Sequence, residues 1–291
     1  NMKYGNEDWD FWISAVEKGF IGTNIHLPLF IYRCKTNSML ARKRATLRRS
    51  ATCHSSTPLV SVIIPTYNRP DMLVGAVKSV LAQTFTNFEI IVINDCGIDV
   101  SEIFTVIDDK RITYINHEVS KGPAATRNTG IRAARGKYIA YLDDDDIYYP
   151  DHLEILVSWL ENNPEYKVAY TDAYRAHQEP DGVGGYVVVK KDVPYSFDFD
   201  YERIFHINFI PILCIVHAKE CMEVVGMFDE SLRSHEDWDL WMRMSQQFRF
   251  YHIAKLTSEF RRRTDYTSLS FSNHMQETYR IVKAKGQLIK K

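Results

Sequence analysis

Between residues 58 and 142 the chain alternates short apolar runs with stretches of helical periodicity, and that alternation leaves few folds open. Leu59-Val-Ser-Val-Ile-Ile64, Phe88–Asn94, Ile112–Ile115 and Lys137–Leu142 are rich in β-branched and aromatic residues and are bounded by turn residues, the signature of buried strands. After the turn Pro65–Pro70, Leu73, Ala76, Val77, Val80 and Leu81 share one helical face; Ile103, Phe104 and Ile107 mark a shorter helix. Pro123–Ala134 reads as a third helix, entered through Lys121-Gly122 and ended by Gly136. Strands alternating with helices require right-handed βαβ crossovers and hence a parallel sheet. The expected class is α/β, with a mainly parallel central sheet flanked by helices.

The last of these strands runs into Asp143-Asp-Asp-Asp146, and Pro150 is expected to open a helix whose apolar positions are Leu153, Leu156, Val157 and Leu160. Adjacent carboxylates repel, so stability gains nothing from crowding them at one strand end. In an open α/β sheet, however, the carboxyl ends of the strands are where ligands bind. A hard cation such as Mg²⁺ or Mn²⁺ takes carboxylate, phosphate and water oxygens together. The pattern therefore predicts a site for a metal and a phosphorylated ligand; a solvated acidic turn is the alternative.

Composition excludes several classes. With Lys+Arg 36 against Asp+Glu 37, no global field argues for nucleic acid or a membrane surface. No apolar run reaches transmembrane length and no signal peptide opens the chain, so no transmembrane segment is expected and peripheral membrane association stays open. Cys34, Cys53, Cys96, Cys214 and Cys221 show no metal-ligand spacing, so a reducing, cytoplasmic setting is expected. Asn1 is not an initiator methionine, and Glu7-Asp-Trp-Asp-Phe-Trp12 recurs as Glu236-Asp-Trp-Asp-Leu-Trp241. Tyr32-Arg33 with Thr36-Asn-Ser38 likewise resembles Phe260-Arg-Arg262 with Thr264-Asp265 and Thr267-Ser268. Residues 1–57 are accordingly expected to be the tail of a preceding copy of the domain plus a basic linker, Arg42 to Arg49. Residues 58–291 form the domain proper: 58–150 bind the nucleotide, 151–270 face the acceptor, and 271–291 close it as a helix. In the acceptor half Lys167–Thr171, Tyr186–Lys190, Phe209–Val216, Phe248–Ala254 and Ser258–Arg263 read as strands and Glu236–Gln247 as a helix.

The order of these pieces resembles the inverting family 2 glycosyltransferases of GT-A fold. The resemblance is carried by Ser61-Val-Ile-Ile-Pro-Thr-Tyr-Asn-Arg69, Gln83-Thr-Phe85, Phe88–Asp95, Ala125-Thr-Arg-Asn128 with Gly130, Leu142-Asp-Asp-Asp-Asp146, Gly226-Met-Phe-Asp-Glu230 and Glu236-Asp237. Asp144-Asp-Asp-Ile-Tyr-Tyr-Pro-Asp151 is similar in particular to the spore-coat polysaccharide transferases of that family. It implies that Tyr67 stacks on a base while Pro65, Thr66, Asn68 and Arg69 line the same nucleotide pocket. Asp95 would accept the N–H of a uracil-type base, with a helix cap as its other reading. Arg127 would approach base or phosphates, Asp143 and Asp144 the ribose side, and Asp145 the metal that bridges the diphosphate. Asn94 departs from the family's acidic pair, and Arg263 stands where relatives often carry a histidine, for which His252 and His274 are possible substitutes.

Inversion at an anomeric carbon is a single displacement, so a carboxylate must take the acceptor hydroxyl proton. The resemblance assigns that role to Asp237, beside Glu236. A helix N-terminus would lower its pKa, whereas burial and Glu236 would raise it, and the sequence leaves the balance open. Trp238 and Trp241 are either sugar-flanking or core. The implied activity is metal-dependent, inverting transfer of a sugar from a UDP-linked donor to a hydroxyl of a glycan or lipid-linked glycan, in polysaccharide or glycoconjugate synthesis. A nucleotidyltransferase and a non-catalytic sugar-nucleotide-binding module are the rivals. The first would want a Gly- and Lys/Arg-rich loop where Pro65–Pro70 stands.

Overall fold

A computed structural model describes residues 57–263 and 275–290. The remnant and linker expected over 1–57 lie outside the described residues except for Thr57, as does His274.

β1 (Val60–Thr66) lies between β2 (Phe88–Asn94) and β4 (Tyr138–Tyr141) and is parallel to both; β3 (Ile112–Asn116) extends the sheet beyond β2. β1, β2 and β4 are buried, with α1 (Pro70–Leu81) and α3 (Pro123–Ala133) flanking the sheet, which is why they read as mostly apolar runs, whereas the edge strand β3, preceded by the short α2 (Ser101–Ile107), is only partly buried. The strand order 3-2-1-4 reverses at β1, and the loops after β1 and β4 diverge there to leave a crevice at their carboxyl ends.

Past β4 the sheet turns mixed. A two-residue strand, β5 (Ile147–Tyr148), precedes α4 (His152–Asn162). β6 (Val168–Pro180) and β7 (Tyr186–Asp192) form a hairpin through a turn in which Gly182 and Gly184 have φ of +80° and +100°. α5 (Tyr201–Ile204), β8 (Ile215–Ala218), α6 (Cys221–Val225), α7 (Glu236–Ser245), β9 (Phe250–Arg263) and α8 (Met275–Ile289) follow. β8 joins the parallel half to the rest by pairing antiparallel with β4 and β6, while β9 runs parallel to β6. No described helix is long and apolar enough to cross a membrane.

Several boundaries differ from expectation. Pro150 precedes α4 by two residues and uses its carbonyl to accept from the Thr84 amide at 2.8 Å. Phe209–Val216 is not one strand: it turns through a 3₁₀ segment, Ile212–Cys214, before β8 begins. The two strands expected over 248–263 are a single β9, whose pairing with β6 slips register beside Asp172, where Lys255-Leu256-Thr257 interrupt the apolar pattern.

Candidate active site

Two adjoining cavities open over the carboxyl ends of β1 and β4, of about 310 and 580 Å³. Arg69, Pro123, Arg127, Asp143 and Asp145 belong to the walls of both. The smaller cavity is built from Pro65, Thr66 and Tyr67 at the end of β1, Asp95 after β2, Ser120, Gly122 and Thr126 at the entry of α3, and Asp144. Tyr67 is 52% exposed, so its ring is available to a planar ligand. The larger cavity is floored by Glu236 and Asp237 at the start of α7 and bordered by Asn208 and Arg261.

The acid cluster divides into distinct roles. Asp143 accepts from Arg127 Nη2 at 2.6 Å. Asp144 accepts from Thr66 Oγ1 at 2.8 Å and from Arg69 Nη1 at 3.1 Å. Burial, helped by the charge of Asp145, pushes the Asp144 carboxyl up to about 6 against the pull of Arg69 and Thr66. Asp145 is paired with Arg69 at 3.1 Å and with Arg263. Asp146, buried at the wall of the larger cavity, accepts the Arg261 amide at 2.9 Å and pins β9 to the loop; burial raises its pKa well above the usual range.

Arg127 links the two cavities. One guanidinium nitrogen pairs with Glu236 and the other with Asp143, so the arginine of α3 ties the donor-side acids to the helix carrying the candidate base. Glu236 is thereby committed to Arg127. Asp237 accepts from Asn208 Nδ2 and from the Trp238 amide, both at 2.8 Å. Burial outweighs these bonds and the attraction of Arg127, and the Asp237 pKa is raised. The balance left open by the sequence thus falls toward a stronger base. Trp238 and Trp241 are core residues whose indole N–H groups donate to the carbonyls of Ile204 and Ile210.

Two expected ligand contacts are employed otherwise. Asn68, at φ +56°, accepts the Ile98 amide with its side chain, organises the loop after β2 and lines neither cavity. Asp95 reaches the small cavity but accepts from His117 Nδ1, Ser120 Oγ and the amides of Lys121 and Gly122 at 2.8–3.1 Å. Burial pushes its pKa up, yet these bonds together hold it below the ordinary carboxylate range. Its function in this state is to fold the 120–122 turn onto the pocket, and it caps no helix. Asn94 is wholly buried and ties Gly97 and Ile98 to the end of β2. His252 is neither at the surface nor at the acids: it is wedged between Asp172 and Asp198 and lines neither cavity. Ser120, Gly122, Thr126 and Asn208 were not singled out from sequence; the first three were detectable only as the entry of α3, and Asn208 lies inside an apolar run.

A divalent cation fits the shared wall. Asp143 and Asp145 both reach it, and Mg²⁺ or Mn²⁺ bound with a diphosphate asks for only one or two protein carboxylates. Among the described residues no three His, Cys, Asp or Glu side chains converge into a site made by protein alone, so phosphate oxygens would have to complete it.

Residues 61–187 match the family described as "Glycosyl transferase family 2". A putative colanic acid biosynthesis glycosyl transferase of Escherichia coli, WcaA, is 31% identical over 66% of this chain and 68% of its own length. An uncharacterized glycosyltransferase of Rickettsia bellii is 36% identical over 74% of this chain, which spans only 30% of that relative. The S. aureus TarS structure solved with UDP-GlcNAc superimposes with a TM-score of 0.60 over 78% of this chain and 66% of that one, at 18% identity. The Pyrobaculum calidifontis mannosyltransferase PcManGT, solved with GDP-Man and Mn²⁺, gives a TM-score of 0.52 over 86% of this chain and 69% of that one, at 14% identity. At those identities the likeness shows the fold, and the fold is GT-A, as expected.

Proposed function

The chain belongs to glycosyl transferase family 2, and from that premise we propose that it moves a sugar, with inversion, from a UDP-linked donor to a hydroxyl of a glycan acceptor. One observation carries this reading. A cavity with an exposed tyrosine and a cavity with a base of raised pKa share a wall of Arg69, Arg127, Asp143 and Asp145.

The donor lies with its base against Tyr67, in the pocket shaped by Pro65, Thr66 and the Asp95-held turn. Its diphosphate meets Arg69 on the shared wall, and its sugar projects toward α7. Asp143 and Asp145 would hold a divalent cation together with the diphosphate, and the chemistry it would supply there is charge stabilisation of the leaving group. Asp237 takes the proton of the acceptor hydroxyl, whose oxygen forms the new bond to the anomeric carbon opposite the breaking bond. Glu236 and Arg127 keep Asp237 in register with the donor side. The support from known proteins is the UDP-GlcNAc complex of TarS and the Mn²⁺ complex of PcManGT, both on this fold. An acceptor in polysaccharide synthesis is supported by the kind of relative found, WcaA, a putative colanic acid biosynthesis glycosyl transferase.

The test is release of nucleoside diphosphate from UDP-, dTDP- and GDP-sugars, with Mn²⁺ or EDTA and with candidate acceptor glycans. Turnover with a UDP-sugar that is lost in EDTA and in Asp237→Asn, with UDP still bound by that variant, is the expected result. Binding of no sugar nucleotide would end the reading.

A further inference from the structure

We propose that Arg263, together with Arg69, forms a guanidinium lock on Asp145, so that the site accepts its divalent cation only in company with a diphosphate. The inference rests on the metal-dependent reading above and deepens it.

Arg263 ends β9, and its side chain is 1% exposed. Its Nη2 pairs with Asp145 Oδ2, its Nη1 lies 2.8 Å from Met72 Sδ, its guanidinium sits 5.5 Å from the centre of the Tyr186 ring, and its Nε is buried without a hydrogen-bond partner. Arg69 Nη1 reaches the same Oδ2 at 3.1 Å and Asp144 Oδ1 at 3.1 Å. One carboxylate oxygen therefore serves two guanidinium groups. Asp143 in turn is paired with Arg127. Asp143, Asp144 and Asp145, the acids that follow β4 in the small cavity, are thus matched by three arginines, and this wall presents little uncompensated negative charge to a cation.

A free divalent ion entering here would be repelled by Arg69 and Arg263 and would find part of its carboxylate already taken, while giving up its own tightly held water. A diphosphate reverses the balance. Its oxygens attract the cation directly and offer Arg69, which lines both cavities and is 26% exposed at its side chain, a bidentate partner in place of the carboxylates. Arg263 lines neither cavity. It stays behind Asp145 as a positioning residue, holding Oδ2 and leaving the other oxygen for the cation.

The charge of each guanidinium repels any cation that approaches the same carboxylate, and more strongly in a partly buried site than in water. Removing one guanidinium should then tighten binding of free Mn²⁺ by about tenfold or more. The experiment is Mn²⁺ titration of the full chain by the loss of the free-ion electron paramagnetic resonance signal, with and without UDP, for the wild type, Arg263→Met and Arg69→Met. In the wild type UDP should tighten Mn²⁺ binding by about tenfold or more, and Mn²⁺ should tighten UDP binding by the same factor, since the coupling is reciprocal. In the variants Mn²⁺ binding without UDP should tighten, narrowing that effect; Arg69→Met decides the matter if loss of buried Arg263 prevents folding. Mn²⁺ bound equally well with and without UDP by the wild type, or unchanged affinity for free Mn²⁺ in a folded variant, overturns the lock and leaves the metal-dependent reading standing. No Mn²⁺ binding even with UDP removes both.

Discussion

Asp237 is pulled two ways by its position. Helix-end amides and Asn208 favour its charged form, burial disfavours it, and burial prevails. A carboxylate raised in this way is a better proton acceptor near neutral pH, which is the property the displacement needs. Asp237→Asn keeps the shape and removes the proposed base, so transfer should fall by about 10²–10⁴-fold. UDP affinity, read by calorimetry, should hold; a comparable loss of UDP binding would make Asp237 a donor-site residue instead. Asn208 offers a finer probe. Its bond at 2.8 Å stabilises the Asp237 carboxylate, so in Asn208→Ala the base pKa should rise further. The acid limb of the pH–rate profile should then move to higher pH, whereas a purely structural effect of Asn208 would lower the rate at all pH values alike.

At the scale of elements, what holds the site is the contact of α3 with the parallel sheet. A Cβ at Gly130 would stand 2.5 Å from Ile63 Cγ2 and 2.9 Å from Ile93 Cδ1, so glycine lets α3 lie directly on β1 and β2 one turn after Arg127. Overpacking such a contact costs about 1–3 kcal/mol. Gly130→Ala should lose that much in urea unfolding and should also depress transfer, because a displaced α3 moves Arg127 away from Asp143 and Glu236; unfolding unchanged from wild type would show that the helix has room to spare. This half of the fold was legible in the sequence for a physical reason. β1, β2 and β4 are buried, so their residues are mostly apolar, the buried Ser61 and Glu89 being bonded to each other, and β2 spans Phe88–Asn94 as the sequence pattern predicts. The part of the fold after β4 was not. β9 mixes exposed, half-buried and buried residues without a regular alternation and slips register midway, so it reads as two pieces, and a run such as Phe209–Val216 is apolar whether it is strand or 3₁₀ turn. The site shows the same division. Its carboxylates and arginines could be named from strand ends and helix starts, but which acid pairs with which arginine is decided by chain segments far apart in sequence, as Arg263 with Asp145 and Arg127 with Glu236.

Across the whole molecule, buried titratable groups tie stability to pH in opposite senses. His217 donates from Nδ1 to the Ala218 carbonyl and accepts from the Tyr141 hydroxyl, and burial holds its pKa down to about 4. Unfolded, it titrates near ~6.5. Between those values only the unfolded chain is protonated, so its contribution to stability is intact above about 6.5 and is lost as pH falls toward 4. His152, pushed down to about 3 by burial, acts in the same sense over a wider window. Asp144 acts in reverse. With a folded pKa of about 6 and an unfolded value near ~3.9, it binds a proton on folding, so its contribution is full below ~4 and is lost as pH rises through 6. Differences between wild type and variant isolate each group from the rest. His217→Gln should cost stability at pH 7 through the lost Tyr141 contact, but that cost should shrink on acidification by about 1.4 kcal/mol per pH unit across the window. Asp144→Asn should gain stability relative to wild type at pH 8 in the absence of nucleotide and metal, and that gain should vanish toward pH 4. Urea unfolding at half-unit pH steps measures both. Parallel rather than opposed slopes would mean that the acid cluster is not the strained, partly protonated group that its burial demands.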